Sequence, residues 1–145
     1  MTTELGVVPI TNAIQQAVAP VFLLAGIGAI LNVLATRLAR IVDRSRELHA
    51  RRENVKAERQ LQIDWELGIL AKRGRVVHRA IGFATVAALF VCLVIAILFI
   101  SAVADWHSGM VVAALFVLAM VSLITALAGF LREIQLATRV MLSGP

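Results

Sequence analysis

The sequence of 145 residues is 60% apolar, against about 45–50% for a soluble domain, and its mean hydropathy is +0.89. That excess excludes a soluble fold and implies an integral membrane protein. The formal charge of +5 comes from arginines interleaved with carboxylates beside apolar runs, the pattern of a basic membrane flank rather than of a nucleic-acid surface. Cys92 is the only cysteine, so neither an internal disulfide nor a cysteine metal cluster is expected.

In chain order, residues 1–11 carry one charge, Glu4, and read as an extended extracytoplasmic arm. Met1 to Ala19 holds no Lys or Arg, so the basic start of a secretory signal is missing and the first span reads as a retained anchor. Asn12, with Gln15 three residues on, predicts a helix N-cap and its capping-box partner. Transmembrane helix 1 is placed at 12–36. Pro20 removes the bond to the Gln16 carbonyl and predicts a kink or a fresh helix start. Ala17 to Thr36 gives 20 uncharged residues, enough to cross a hydrocarbon core of about 30 Å at about 1.5 Å per residue.

Residues 37–79 predict an antiparallel helical hairpin in the cytoplasm. Leu34, Leu38, Ile41, Ser45 and Leu48 alternate spacings of four and three, and so do Ile63, Leu67, Leu70, Gly74, Val77 and Ile81; each series makes one apolar seam. The reversal is expected around Asn54 to Gln62, although that stretch lacks Gly and Pro and has helical propensity. Transmembrane helix 2 follows at 80–104, a tight extracytoplasmic turn at 105–109 with Trp106 at the interface and Ser108 as a cap, and transmembrane helix 3 at 110–131. The tail, 132–145, continues with amphipathic character near the inner interface.

Twelve of the fourteen Lys and Arg lie between Arg37 and Arg79 and the other two, Arg132 and Arg139, follow the third span. The positive-inside rule then puts the N-terminus outside and the C-terminus in the cytoplasm.

Two stripes on the first helix are candidate functional features. Ala25, Gly28, Asn32 and Thr36 share one face, which suits either close helix packing or the lining of a pathway in a homo-oligomer. Arg37, Arg40 and Arg44 form a basic stripe beginning at the inner interface, read as anchoring to anionic headgroups or as a cationic vestibule where several copies meet. Asp43 and Glu47 stand within reach of Arg40, Arg46 or Arg51 and partly neutralise it. His49, His78 and His107 have no metal-ligand spacing, and no ionisable residue lies within the three spans, which argues against proton-coupled transport and intramembrane catalysis. There is no phosphate-binding glycine loop, nucleophile elbow or zinc helix motif. No enzyme activity, metal or cofactor is expected.

The phrase APVFLLAGIGAILNVLATRLARIVDR (Ala19 to Arg44), the EL-x-x-L-x-x-R of Glu66 to Arg73, and LFVLAM followed by FLREIQLAT (Leu115 to Thr138) resemble the bacterial family catalogued as domain of unknown function 2721. The resemblance runs from about Ile14 to Arg139 and implies a small three-pass protein of the bacterial inner membrane. It brings no activity with it. The sequence thus leads to an all-α membrane protein with three transmembrane helices, the first continuing into the cytoplasmic hairpin. Two functions fit: a homo-oligomeric ion channel or passive transport protein, or a membrane adaptor whose hairpin binds a protein partner or anionic lipid.

Overall fold

The computed structural model describes the backbone of residues 4–52, 55–104 and 108–142, and the side chains of 10–52, 55–104 and 108–135. The described residues form three α-helices: α1, Glu4–Arg52, α2, Ala57–Ala104, and α3, Gly109–Leu142. Among the described residues there is no strand. Each helix contains a stretch long and apolar enough to cross a membrane, within Ile10–Arg52, Ala57–Ala104 and Gly109–Gln135. Helices dominate because backbone N–H and C=O groups in hydrocarbon must be satisfied within their own segment.

The extended arm expected over 1–11 is not what forms. Helix α1 begins at Glu4, and Asn12 lies inside it rather than capping it. The apolar run leading into the span satisfies its backbone best by coiling, and Pro9, so near the start, removes only the bond to the Leu5 carbonyl. Nor does a fresh helix begin at Pro20, which is buried within α1 and forgoes a single bond. At the other end of the chain, 132–142 continues α3. Of the turn expected at 105–109, Asp105, Trp106 and His107 lie outside the described residues. Ser108 stands at the N-cap position, its carbonyl accepting from the Val112 N–H at 3.0 Å.

The chain divides into two compact units. The first joins Met1–Leu31 with Phe83–Ile124. Its interior is built from small side chains, Ala13 and Ala17 of α1, Ala84 and Ala87 of α2, and Ala119 of α3, with Ile27, Val91 and Val94 filling between them. Without a hydrophobic drive in lipid, such close approach and a few interhelical hydrogen bonds hold helices together. The Ser122 hydroxyl makes one of these bonds, donating to the Phe83 carbonyl at 2.8 Å.

The second unit joins Asn32–Gly82 with Thr125–Pro145. Leu34 and Leu48 of α1 and Leu70 and Val77 of α2 are buried, and Ile41 lies 3.6 Å from where a Cβ would stand on Gly74. The cross-links Arg52 to Asp64, Arg44 to Glu66 and Ile41 to Gly74 pair falling numbers on α1 with rising numbers on α2, the signature of an antiparallel hairpin. On α3, Gly129 lets the backbone approach α2, with Ala80 Cβ 3.5 Å from the position a Cβ would take.

The hairpin reverses between Arg52 and Ala57, at the N-terminal end of the stretch Asn54 to Gln62 expected from sequence. Helix α1 ends at Arg52 and α2 starts at Ala57, with Glu53 and Asn54 outside the described residues. Gln60 explains why neither Gly nor Pro is needed. Its amide donates to the carbonyls of Arg52, at 3.4 Å, and Val55, at 3.2 Å, satisfying acceptors that the end of a helix leaves open. The Lys56 carbonyl accepts from the N–H groups of Arg59 and Gln60.

Candidate functional site

The described residues hold one fully buried charged side chain, Glu133 of α3, 1% exposed. Its phase explains how it comes to be there. Val112, Leu115, Ala119, Ser122, Ala126 and Gly129 recur at spacings of three and four and are buried or half-buried; Glu133 occupies the next place in that seam, so the helix turns a carboxylate inward. Two arginines meet it. Arg37 of α1 donates to Oε2 at 3.0 Å and Arg73 of α2 to Oε1 at 2.7 Å. Arg37 also lies over the Phe130 ring, 5.0 Å from its centre. One carboxylate therefore ties all three helices of the second unit at one level. Arg73 Nε is buried beside it without an acceptor.

A second set of charges joins the two arms of the hairpin. Arg44 reaches Glu47 at 2.9 Å and Glu66 at 3.1 Å, Arg51 reaches Glu47 at 2.6 Å, and Arg52 reaches Asp64 at 2.8 Å. The hydrogen bond from Arg44, followed by the charge of Arg51, holds the Glu47 carboxyl below its ordinary value, and the hydrogen bonds to Glu47 and then Glu66 raise Arg44.

The sequence-derived basic stripe is thus divided. Arg37 is committed to Glu133 and Arg44 to Glu47 and Glu66, while Arg40 is exposed with no carboxylate in reach among the described residues. Glu47 does offset the stripe, through Arg44 and Arg51, whereas Asp43 has no ion-pair partner among the described residues. The second stripe, Ala25, Gly28, Asn32 and Thr36, is exposed along its length. A Cβ on Gly28 would meet nothing within 4 Å. The Thr36 hydroxyl bonds back to the Asn32 carbonyl at 2.9 Å, and the Asn32 amide takes no partner among the described residues. Among the described residues the one hydrogen bond on this face is that bond within α1, and its side chains are otherwise left exposed.

Along α2 on the hairpin runs an open groove of about 730 Å³, lined by Leu61, Trp65, Ile69 and Leu70 with Gln62, Glu66 and Arg73. Leu61 is 74% and Trp65 69% exposed. Among the described residues no group of three His, Cys, Asp or Glu side chains stands close enough to hold a metal ion.

Sequence reasoning missed Glu133, Arg73 and the groove. For Glu133 the signal was present in the spacing of α3, whose seam runs past the last uncharged residue. Trp65 also shows in the sequence as a large apolar side chain off the Ile63–Leu67–Leu70 seam.

The family model "Protein of unknown function (DUF2721)" matches residues 17–142. The chain belongs to this family. No curated protein and no solved structure matches it. The match takes in α1 from residue 17 and the whole of α2 and α3 of the DUF2721 chain, and with them Glu133, both of its arginines and the groove.

Proposed function

We propose that this DUF2721 protein is a membrane-anchored adaptor of the inner membrane, without catalytic activity, whose cytoplasmic hairpin docks an acidic amphipathic helix of another protein. The observation that carries the reading is the pair Leu61 and Trp65. They stand about 12–18 Å along α2 from Arg73, at about 1.5 Å per residue, on a segment rich in charge, yet are largely exposed. Lipid accounts for exposed apolar side chains on the spans but not on this arm. Burying such side chains favours binding by about 1.5–3 kcal/mol each, and an apolar groove along a helix receives a partner helix through anchors at successive turns. The occupant's charge follows from the ion pairs. Arg46, Lys56, Arg59 and Lys72 have no carboxylate partner among the described residues, against Asp43 and Glu58 on the acidic side, so the hairpin's uncommitted charge is cationic. Leu61→Ser with Trp65→Ser should abolish partner recovery while leaving the protein folded in the membrane. Unchanged recovery of the same partner would overturn the reading.

A second reading rests on the exposed face of Ala25, Gly28, Asn32 and Thr36: a homo-oligomer packed through α1, passing ions or small solutes past Asn32. Hydrocarbon offers the Asn32 amide no hydrogen bond, whereas a second copy or a water-filled path does. The vestibule that this reading needs has lost two of its three arginines to carboxylates, which is why the adaptor stands first. Flux through liposomes that changes with Asn32→Leu would reverse the order.

A further inference from the structure

The ion pairs sort the basic residues into two populations. Arg37, Arg44, Arg51, Arg52 and Arg73 are committed to carboxylates. Arg40, Lys72, Arg75, Arg79 and Arg132 are exposed and have no carboxylate in reach among the described residues, as are Arg46, Lys56 and Arg59 farther along the hairpin. Glu133 supplies the ruler that places this second group, since Arg37 and Arg73 both touch it and so mark one level on the three helices. Counting from that level toward the uncharged spans, Arg132 lies one residue on, Arg75 two and Arg79 six; away from the spans, Lys72 lies one residue and Arg40 three. At about 1.5 Å per residue the five fall within a band of roughly 13 Å. A headgroup layer is about 5–8 Å deep on each side of the hydrocarbon, and the flexible stems of Lys and Arg span the remainder.

We propose that this band is a binding surface for anionic phospholipid headgroups of the leaflet on the hairpin's side, with Arg40, Lys72, Arg75, Arg79 and Arg132 as its phosphate-binding residues. Charge complementarity argues for it: five cations drawn from all three helices lie within one band, and the one carboxylate in that band among the described residues is already saturated by two other arginines. Lipid phosphates are the anions that depth supplies. The contribution of one basic residue near an anionic surface, about 1 kcal/mol, corresponds to about fivefold in affinity.

The test is native mass spectrometry of the full chain in detergent, titrated with phosphatidylglycerol and, separately, phosphatidylcholine. The intact protein should retain phosphatidylglycerol selectively. Lys72→Gln with Arg75→Gln and Arg79→Gln should lower that affinity about a hundredfold, from the per-residue contribution, and Arg40→Gln with Arg132→Gln about twentyfold. Arg46→Gln with Lys56→Gln and Arg59→Gln removes as much charge from farther along the hairpin, at least about 13 Å from the level of Glu133 at about 1.5 Å per residue and so beyond a Debye length of about 8–10 Å from it, and should change it by less than about threefold. Each triple variant keeps nine of the twelve hairpin Lys and Arg, so orientation is preserved. Equal losses in the two triple variants would reduce the effect to net charge and overturn the proposal, as would equal retention of the two lipids by the unaltered protein.

Discussion

Replacing Glu133 by Gln removes one charge and leaves the outline of the side chain nearly unchanged. Both carboxylate oxygens are engaged, at 3.0 and 2.7 Å, and the side chain is 1% exposed. Removing one member of a fully buried ion pair costs about 3–5 kcal/mol, mostly by stranding the other charge. Here the stranded arginines are not fully buried: Arg37 is 41% and Arg73 27% exposed. Water reaches them, and the cost falls to about 2 kcal/mol. For a chain of this size that is a fall in Tm of about 4–8 °C. The assay is thermal unfolding followed by circular dichroism in a zwitterionic detergent, which excludes anionic lipid from taking the place of the carboxylate. Arg44→Gln is the control: its ion pairs with Glu47 and Glu66 are solvent-exposed and screened by water and salt, so it should lower Tm clearly less than Glu133→Gln does. A Glu133→Gln protein as stable as the Arg44→Gln protein would refute the clamp. Converting Glu133, Arg37 and Arg73 together to Met should restore most of the loss, because it leaves no stranded charge beside the buried position of Glu133.

Gly129→Leu should destabilise by about 1–3 kcal/mol through overpacking against Ala80, read as a lower Tm, while Gly129→Ala should be tolerated because the added methyl meets Ala80 at 3.5 Å, an ordinary contact. Gly28→Leu should leave the Tm of the protomer unchanged, since nothing lies within 4 Å of the new Cβ; a change in oligomer size by light scattering with this variant would favour assembly through α1. Ser122→Ala should cost about 0.6 kcal/mol, the average for interhelical hydrogen bonds in membranes, measured by reversible unfolding. Glu47 titrates below its ordinary value in the folded hairpin. Its contribution is therefore fully present above the ordinary glutamate range and is lost only as pH falls through its lowered folded value. NMR titration of the Glu47 carboxyl should show this depression, and Arg44→Gln should move the value upward.

Three spans and the polar hairpin were legible because apolar run length and seam periodicity are local properties of the chain. Leu34, Ile41 and Leu48 announce a seven-residue repeat, and the structure extends that phase backward through Ile27 and Pro20 to Ala13. What the sequence hid was partnership. Arg37 read as one of three equivalent stripe residues because nothing near it in sequence reveals that Glu133, 96 positions away, meets it. The start of α1 was misplaced because Asn12 has the chemistry of a cap, while the membrane's demand on the preceding backbone is stronger than a single amide bond. The hairpin reversal lacked its usual signals because Gln60 does the work of a glycine from the far side of the turn. The α1 stripe was visible as a spacing, yet only the structure shows that it is exposed along its length.

Site-specific photo-crosslinking from position 65 in living cells tests the docking role of the hairpin most directly. The expected result is an adduct whose crosslinked peptide is an amphipathic helical segment with a surplus of Asp and Glu, formed from positions 65 and 69 and absent when the crosslinker is moved to position 46. Adducts only to lipid or to a second copy of the chain would contradict the account.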